Sequence, residues 1–339
     1  MDEESRVAGE TIDVLMVGPV MPLIEEGIGR AFNLHKLWDA PDREGLIARL
    51  APRLRAMAAG GGKHPPMDAA FLGRFPKLEI VSSFGVGYDH VDAKWAAAHG
   101  IIVTNTPDVL TEEVADTALG LLLCTVRELP QAERYLRAGR WAEGDYRLTP
   151  ATLRNRTVGI VGLGRIGKAI ARRLDAFAVP VVYHGRTKQP GVRYRHYADL
   201  IDMARDVDVL MIVTPGGPAT RNMIDAEVLE ALGPEGILIN IARGSVVGEP
   251  ALIAALKSGK ILSAGLDVFA NEPHVPAELL ALENVVLLPH VGSASVYTRD
   301  AMGQLVVDNL LAWAAGKAPL TPVPECQDLR RQRSEVGGR

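Results

Sequence analysis

At 339 residues the chain exceeds the usual size of a single hydrophobic core, so two domains of roughly 150 to 200 residues are expected. A formal charge of −4, no basic arm and no zinc-like cluster of cysteine and histidine give no field for nucleic acid and no metal centre, and Cys124 and Cys326 are too few and too far apart for a disulfide framework. The start Met1-Asp2-Glu3-Glu4-Ser5-Arg6 is acidic where a leader would be basic then apolar, and the apolar stretches are too short for a bilayer, so a soluble protein of the reducing cytoplasm with no membrane partner is expected.

In chain order, residues 12–17 read as a strand, 43–54 as a helix, 55–59 as a short strand and 78–82 as a strand leading into Phe84-Gly85-Val86-Gly87. Residues 92–99 then read as a helix and 101–104 as a strand, which makes this first stretch an α/β unit. Thr111-Glu112-Glu113 opens a long apolar helix over 113–128, where Ala115, Ala118, Leu119, Leu122 and Val126 recur at helical spacing; it leads from one domain to the other. A second series of strands follows at 157–161, 179–183, 207–213, 237–241, 262–266 and 285–288, with helices at 165–177, 225–232 and 249–258 among them. The amphipathic helix at 296–315 comes too late to belong to that second sheet, so it is expected to cross back and make the first domain discontinuous. Pro319, Pro322 and Pro324 stop regular structure, and the polar stretch 325–339 is expected to be a weakly ordered end or an oligomer contact.

The second series opens with Val158-Gly159-Ile160-Val161-Gly162-Leu163-Gly164-Arg165-Ile166-Gly167, an apolar run ending in G-x-G-x-x-G. Gly162 permits a tight turn, Gly164 lets the backbone approach a pyrophosphate, and Gly167 lets the next helix lie close to the sheet, with phosphates meeting the N–H groups at the start of that helix. Alone, this motif is weak. Arg243 in Ile239-Asn240-Ile241-Ala242-Arg243-Gly244 and His290 in Pro289-His290-Val291-Gly292-Ser293 each follow a later strand-like run, so a cationic and a titratable group reach the same side of a cofactor-sized site. That combination makes a redox enzyme the leading reading.

Cofactor choice is read at the end of the second strand of this series, where an acidic side chain would bind ribose hydroxyls and repel a 2′-phosphate. Here the strand is followed by His184-Gly185-Arg186-Thr187-Lys188, with no acid among them. Arg186 offers a planar fork of donors, Lys188 a mobile charge and Thr187 a hydroxyl, which suits a phosphomonoester, so NADPH is preferred to NADH; the alternative is a solvated basic turn. Thr214-Pro215-Gly216-Gly217, after another strand, is expected to pass close under the cofactor.

Assembled over residues 12–323, the chain resembles the D-isomer-specific 2-hydroxyacid dehydrogenases, and within them the NADPH-linked glyoxylate/hydroxypyruvate reductases and plant-type hydroxyphenylpyruvate reductases. Besides the blocks already quoted, the resemblance rests on Ser82-Ser83-Phe84-Gly85-Val86-Gly87-Tyr88-Asp89, Thr104-Asn105-Thr106-Pro107-Asp108-Val109-Leu110-Thr111 and Gly265-Leu266-Asp267-Val268-Phe269-Ala270-Asn271-Glu272-Pro273. It implies an α/β fold of two Rossmann-like parallel-sheet domains with a cleft between them. Residues 1–106 plus 292–339 would form a discontinuous, flavodoxin-like substrate domain, and 107–291 a dinucleotide-binding domain with a dimerisation helix and arm. Two departures stand out: Gly248 replaces a common acidic residue before Glu249, and the basic turn replaces an acidic one.

By the same resemblance the catalytic residues are Arg243, Glu272 and His290. Reduction of a 2-oxo acid builds negative charge on the carbonyl oxygen, so a proton donor must lie within hydrogen-bond reach of it; His290 suits that role, and Glu272 beside the ring would favour and orient the imidazolium. Arg243 would hold the substrate carboxylate and polarise the 2-oxo group with its fixed fork. Asp267 resembles the residue that accepts from the nicotinamide carboxamide. Gly162, Gly164, Arg165, Ile166, Gly167, Arg186, Thr187, Lys188, Thr214, Pro215, Ala242 and Gly292 complete the expected cofactor set.

The backbone N–H groups of Val86 and Gly87 are expected to contact the substrate carboxylate, and Gly61 in Gly60-Gly61-Gly62 to make a second close approach. Pocket walls would come from Leu110 and Trp141. Trp141 lies in an excursion, 137–149, that resembles the family's dimer arm, and a closed homodimer is expected around it and the long helix. If Trp141 reaches the partner's site, small 2-oxo acids such as glyoxylate and hydroxypyruvate are favoured; it would otherwise be the apolar anchor of the interface. An aromatic 2-oxo acid is the alternative substrate, and a dinucleotide-sensing corepressor-like binding protein is the alternative class.

Overall fold

The computed structural model describes residues 11–60 and 65–329. They fall into two units, one drawn from Met1–Val109 with Val296–Arg339 and the other from Leu110–Ser295. Each is built on its own parallel sheet.

In the first unit the strands are β1 (Asp13–Met16), β2 (Asn33–Lys36), β3 (Ala56–Ala59), β4 (Ile80–Ser83) and β5 (Ile102–Thr104), in the order β2-β1-β3-β4-β5. The order is flavodoxin-like, and every neighbouring pair is parallel. Helices cover a parallel sheet on both faces, which is why β3, β4 and β5 are buried throughout. At the edge, the Asp13 carboxylate accepts from Asn33 and His35 of β2 and from Arg53. Burial works to raise that carboxyl, but the three bonds outweigh it and hold it below the ordinary range.

The helix Val296–Ala314 belongs to this unit. A Cβ added at Gly27, on the helix Pro22–Ala31, would lie 2.8 Å from Val307, and one at Gly303 would lie 3.1 Å from Ile24, so the two helices pack backbone-close. Ser82 donates to the Val306 carbonyl at 3.0 Å. The helix expected at 43–54 is Arg43–Leu50, because Pro52 has no N–H for the next helical bond. As far as Leu329 the stretch from Glu325 packs onto this unit: Pro322, just before it, bridges Thr104, Cys326 is fully buried, and Glu325 accepts from the Tyr88 hydroxyl at 3.0 Å. Burial, with the acceptor Glu325, pushes the Tyr88 phenol up to about 12. Residues 330–339 lie outside the described residues.

The strands of the second unit are β6 (Val158–Val161), β7 (Val181–His184), β8 (Arg195–Tyr197), β9 (Val209–Ile212), β10 (Ile237–Asn240), β11 (Ser263–Leu266) and β12 (Val285–Leu287). Their order is β12-β11-β10-β9-β6-β7-β8, all parallel, and strand order reverses between β6 and β9 as in a dinucleotide-binding sheet. The helix Thr111–Val126 packs against β11 and against the helix Arg165–Ala176. Arg173 ties the two helices by bonds of 2.7 Å to Glu112 and to Asp116. Helix starts are marked by acceptors: Asp42, Asp68, Asp92, Asp199 and Asp225 each cap backbone N–H groups, which contributes about 1 kcal/mol apiece.

Beyond Val126 the chain turns at Glu128, in the left-handed region with φ 50, into a helix Leu129–Arg137 that has no buried residue. Glu128 itself is held by Tyr146 and Arg147 at 3.0 and 2.8 Å, so residues 138–149 fold back on this helix. Among the described residues no helix is long and apolar enough to cross a membrane, and no group of three or more His, Cys, Asp or Glu side chains could hold a metal ion.

Candidate active site

Where β6 ends, Gly162 takes φ 101, and a Cβ there would lie 2.9 Å from the backbone of Thr214 at the end of β9. Only glycine fits both demands, and the fit brings the Val213–Thr214 backbone, just before Pro215, against the glycine loop. A Cβ at Gly167 would meet the Gly162 carbonyl oxygen at 2.3 Å, so the helix Arg165–Ala176 can start this close to the sheet only with glycine there. Gly164 differs: a Cβ there would meet no protein atom within 4 Å, so the space in front of the helix start is open. No acid stands in the first turn, and Arg165 and Ile166 are its first residues. This donor set fits the pyrophosphate of a dinucleotide.

From β7 the chain enters the turn 185–188, where Arg186, Thr187 and Lys188 are all exposed. Sequence reasoning missed what holds this turn. The Gln189 N–H donates to the Tyr183 hydroxyl at 2.8 Å, its Nε2 donates to the Leu163 carbonyl at 2.8 Å, and His196 Nε2 pairs with the Gly185 carbonyl at 3.0 Å. The basic turn is thereby tied to the glycine loop. Three donors with no carboxylate among them fit a 2′-phosphate.

Arg243 follows β10. Its backbone carbonyl accepts from Asn240 Nδ2 at 3.1 Å and its Nη1 donates to the Ala242 carbonyl at 2.8 Å, while Ala242 N–H is held by Asn240 Oδ1 at 3.0 Å. Asn240 is fully enclosed and so fixes the strand end that carries the arginine. The following Gly244 lies against the Phe269–Ala270 backbone, where a Cβ would have no room. That contact sets Arg243 beside the loop carrying Glu272.

The structure brings Glu272 and His290 together, with His290 Nδ1 and Glu272 Oε2 2.7 Å apart. The other carboxylate oxygen accepts from the Phe269 N–H at 3.0 Å. Burial works to raise the Glu272 carboxyl, but these two bonds and the charges of His290 and Arg243 outweigh it and hold it below the ordinary carboxylate range. Glu272 is therefore ionised at neutral pH, and it takes Nδ1, which leaves Nε2 as the nitrogen to face a substrate.

His290 sits at φ 55, in the left-handed region. For a side-chain-bearing residue that conformation costs roughly 1 to 2 kcal/mol. Asp267, with 2 % of its surface exposed, offsets this by accepting from the next two N–H groups, Val291 at 2.7 Å and Gly292 at 2.8 Å. Burial raises the Asp267 carboxyl, more than those two bonds lower it. Both oxygens thus hold the His290 loop, a task the sequence did not disclose, and each keeps a second acceptor site.

Val86 and Gly87 lie in the first unit, in the loop after β4, and their N–H groups have no partner among the described residues. Gly61 lies outside the described residues. Leu110, at the start of the helix Thr111–Val126, is buried; Trp141, on a 3-10 turn after the helix Leu129–Arg137, is 64 % exposed.

A family model for the D-isomer specific 2-hydroxyacid dehydrogenase, NAD binding domain, matches residues 119–292. A glyoxylate/hydroxypyruvate reductase A of Arabidopsis thaliana is 48 % identical over 93 % of this chain and 99 % of its own length. A hydroxyphenylpyruvate reductase of Plectranthus scutellarioides is 46 % identical over 93 % and 99 %. Among solved structures, an NADPH-dependent glyoxylate/hydroxypyruvate reductase of Sinorhizobium meliloti, in complex with NADP and malonate, superposes with a TM-score of 0.87 at 51 % identity, covering 93 % of this chain and 98 % of that one.

Proposed function

The chain belongs to the D-isomer-specific 2-hydroxyacid dehydrogenases, and from that premise we propose that it uses NADPH to reduce small 2-oxo acids, glyoxylate and hydroxypyruvate, to 2-hydroxy acids of the D configuration where chiral. The observation that carries the reading is the 2.7 Å pair of His290 and Glu272 beside Arg243. Bound NADPH supplies the hydride that reaches the carbonyl carbon. His290 gives its Nε2 proton to the carbonyl oxygen as negative charge grows there, and Glu272 holds the ring through Nδ1. Arg243 stabilises the substrate carboxylate and the developing oxyanion, and the Val86 and Gly87 N–H groups bind a carboxylate oxygen. Asp267 holds the His290 loop and would accept from the nicotinamide carboxamide, with Ala242 and Gly292 as further residues that would hold the cofactor.

The relatives support both substrate readings, since 46 % identity to a hydroxyphenylpyruvate reductase stands close to 48 % identity to a glyoxylate/hydroxypyruvate reductase. An aromatic 2-oxo acid is therefore the second reading. NADPH preference rests on Arg186, Thr187 and Lys188. One charge-assisted contact of ~1.5 kcal/mol corresponds to about tenfold, so kcat/KM with NADPH should exceed that with NADH by at least that factor. Arg186→Ala should raise KM for NADPH and leave NADH kinetics nearly unchanged. Equal use of the two cofactors, or equal losses with both in the variant, would contradict the reading.

A homodimer is supported by the apolar surface that Leu129, Leu136, Trp141 and Leu148 leave exposed on and after a helix with no buried residue. Large apolar side chains exposed together in one segment are usually covered by a partner, and two-fold pairing is the commonest solution. Sedimentation at micromolar concentration should give a dimer. A fully active monomer would end both the dimer and any contribution of Trp141 to a partner's site.

A further inference from the structure

The loop that carries Val86 and Gly87 is clamped from behind by two residues of the segment after β5. Gly85 N–H donates to Thr106 Oγ1 at 2.9 Å and the Gly85 carbonyl accepts from Thr106 N–H at 2.9 Å. Asn105 Nδ2 donates to the Val86 carbonyl at 2.8 Å. A carbonyl accepts and cannot donate, so this contact fixes which end of the Asn105 amide faces the loop. With the Val86 carbonyl drawn toward Asn105, the amide plane between Val86 and Gly87 is set, and with it the direction of the Gly87 N–H.

Asn105 is itself anchored. Its N–H donates to the Thr321 carbonyl at 3.2 Å and its carbonyl accepts from Thr321 Oγ1 at 2.6 Å. Thr321 in turn is held by Asn309, which accepts from the Thr321 N–H at 3.0 Å and donates to its hydroxyl oxygen at 2.9 Å. Asn309 is fully buried on the helix Val296–Ala314, and Asn105 is only 9 % exposed. A relay of polar side chains, from the buried Asn309 through the half-buried Thr321 to Asn105, thus runs from this helix to the back of the loop. The buried Asn309 amide, paired at both its nitrogen and its oxygen, holds one arrangement, because any other leaves a donor or acceptor unsatisfied.

We propose that Asn105, anchored by Thr321 and Asn309, is a positioning residue that aims the Gly87 N–H at the carboxylate of the 2-oxo acid, beside a Val86 N–H whose amide plane Thr106 holds through the Gly85 carbonyl. The assignment rests on the reading that these two groups bind that carboxylate. Asn105 touches neither substrate nor reacting atoms, so its loss acts on carboxylate affinity and leaves the proton and hydride steps alone.

The test is Asn105→Leu, which removes the amide at similar volume, read by steady-state kinetics and by titration with oxalate, a dicarboxylate that cannot accept hydride. One lost charge-assisted contact corresponds to about tenfold, so KM for glyoxylate and the dissociation constant for oxalate should both rise by roughly that factor. The kcat at saturating glyoxylate and the NADPH dissociation constant should stay within about twofold of wild type, a split that general destabilisation would not produce. If Asn105→Leu does not fold, Thr321→Val carries the same test, with smaller rises in the same two constants. Unchanged KM and oxalate affinity in a folded variant, or a fall in kcat with KM unchanged, would overturn the proposal. Wild-type protein that binds oxalate but reduces no 2-oxo acid would instead overturn the reaction, while the oxalate titration of the variant still decides the role of Asn105.

Discussion

In the Arg243→Ala variant, kcat/KM for glyoxylate is expected to fall by at least about a hundredfold with the fold retained. In the proposed mechanism the lost fork serves two charge-assisted contacts of ~1.5 kcal/mol or more, one to the substrate carboxylate and one to the growing oxyanion, and a combined loss of ~3 kcal/mol is two orders of magnitude in rate. The fold should survive because the strand end is fixed by Asn240, whose side chain holds the backbone on both sides of the arginine. Arg243→Lys keeps the charge but not the fork, so it should recover only part of the loss. Thermal melting near the wild-type midpoint, together with wild-type efficiency, would remove Arg243 from the mechanism.

His290→Ala is expected to lower kcat by roughly 10² to 10⁴, the range of a positioned general acid. Its pH signature is as informative. Reduction needs the protonated ring and should decline on the alkaline side, while oxidation of the D-hydroxy acid needs the neutral ring and should rise with pH. Glu272→Gln keeps the shape of the partner and removes its charge, so the alkaline decline of reduction should move to lower pH. On the acid side the sign is opposite. The Glu272 carboxyl is depressed in the folded protein, so the bond contributes fully above the ordinary carboxylate value of about 4.3 and is lost only as pH falls through the lower folded value. A profile for kcat/KM that Glu272→Gln leaves unmoved would uncouple the carboxylate from the proton donor.

The elements that were legible in the sequence are those whose local signals agree with their packing. The run into Gly162-Leu163-Gly164-Arg165-Ile166-Gly167 announces both β6 and the helix behind it, because an apolar strand, a glycine turn and a helix start coincide. The helix Pro22–Ala31 was hidden by Gly27 and Gly29, which depress helix propensity; Gly27 is there because Val307 of another helix packs on it. Edge strands β2 and β8, Asn-Leu-His-Lys and Arg-His-Tyr, show no apolar run because only their inner neighbours are buried on both faces. Glu272 and His290 are read as site residues from their blocks, yet the hold of Asp267 on Val291 and Gly292, of Gln189 on Leu163, and of Asn105 on Val86 depends on side chains meeting backbone from distant segments. No spacing along the chain encodes such contacts. The stretch after Pro319 misled for the same reason, since its polar composition conceals that Cys326 is buried and Thr321 is bonded to Asn105.

The most direct measurement is the initial rate of NADPH oxidation by the purified protein with glyoxylate, hydroxypyruvate, pyruvate and phenylpyruvate in turn, repeated with NADH. Steady turnover is expected with glyoxylate and hydroxypyruvate, at an efficiency with NADPH at least about tenfold above that with NADH. Binding of NADPH without its oxidation by any of the four acids would contradict the account and mark the chain as a dinucleotide-sensing protein in place of a reductase.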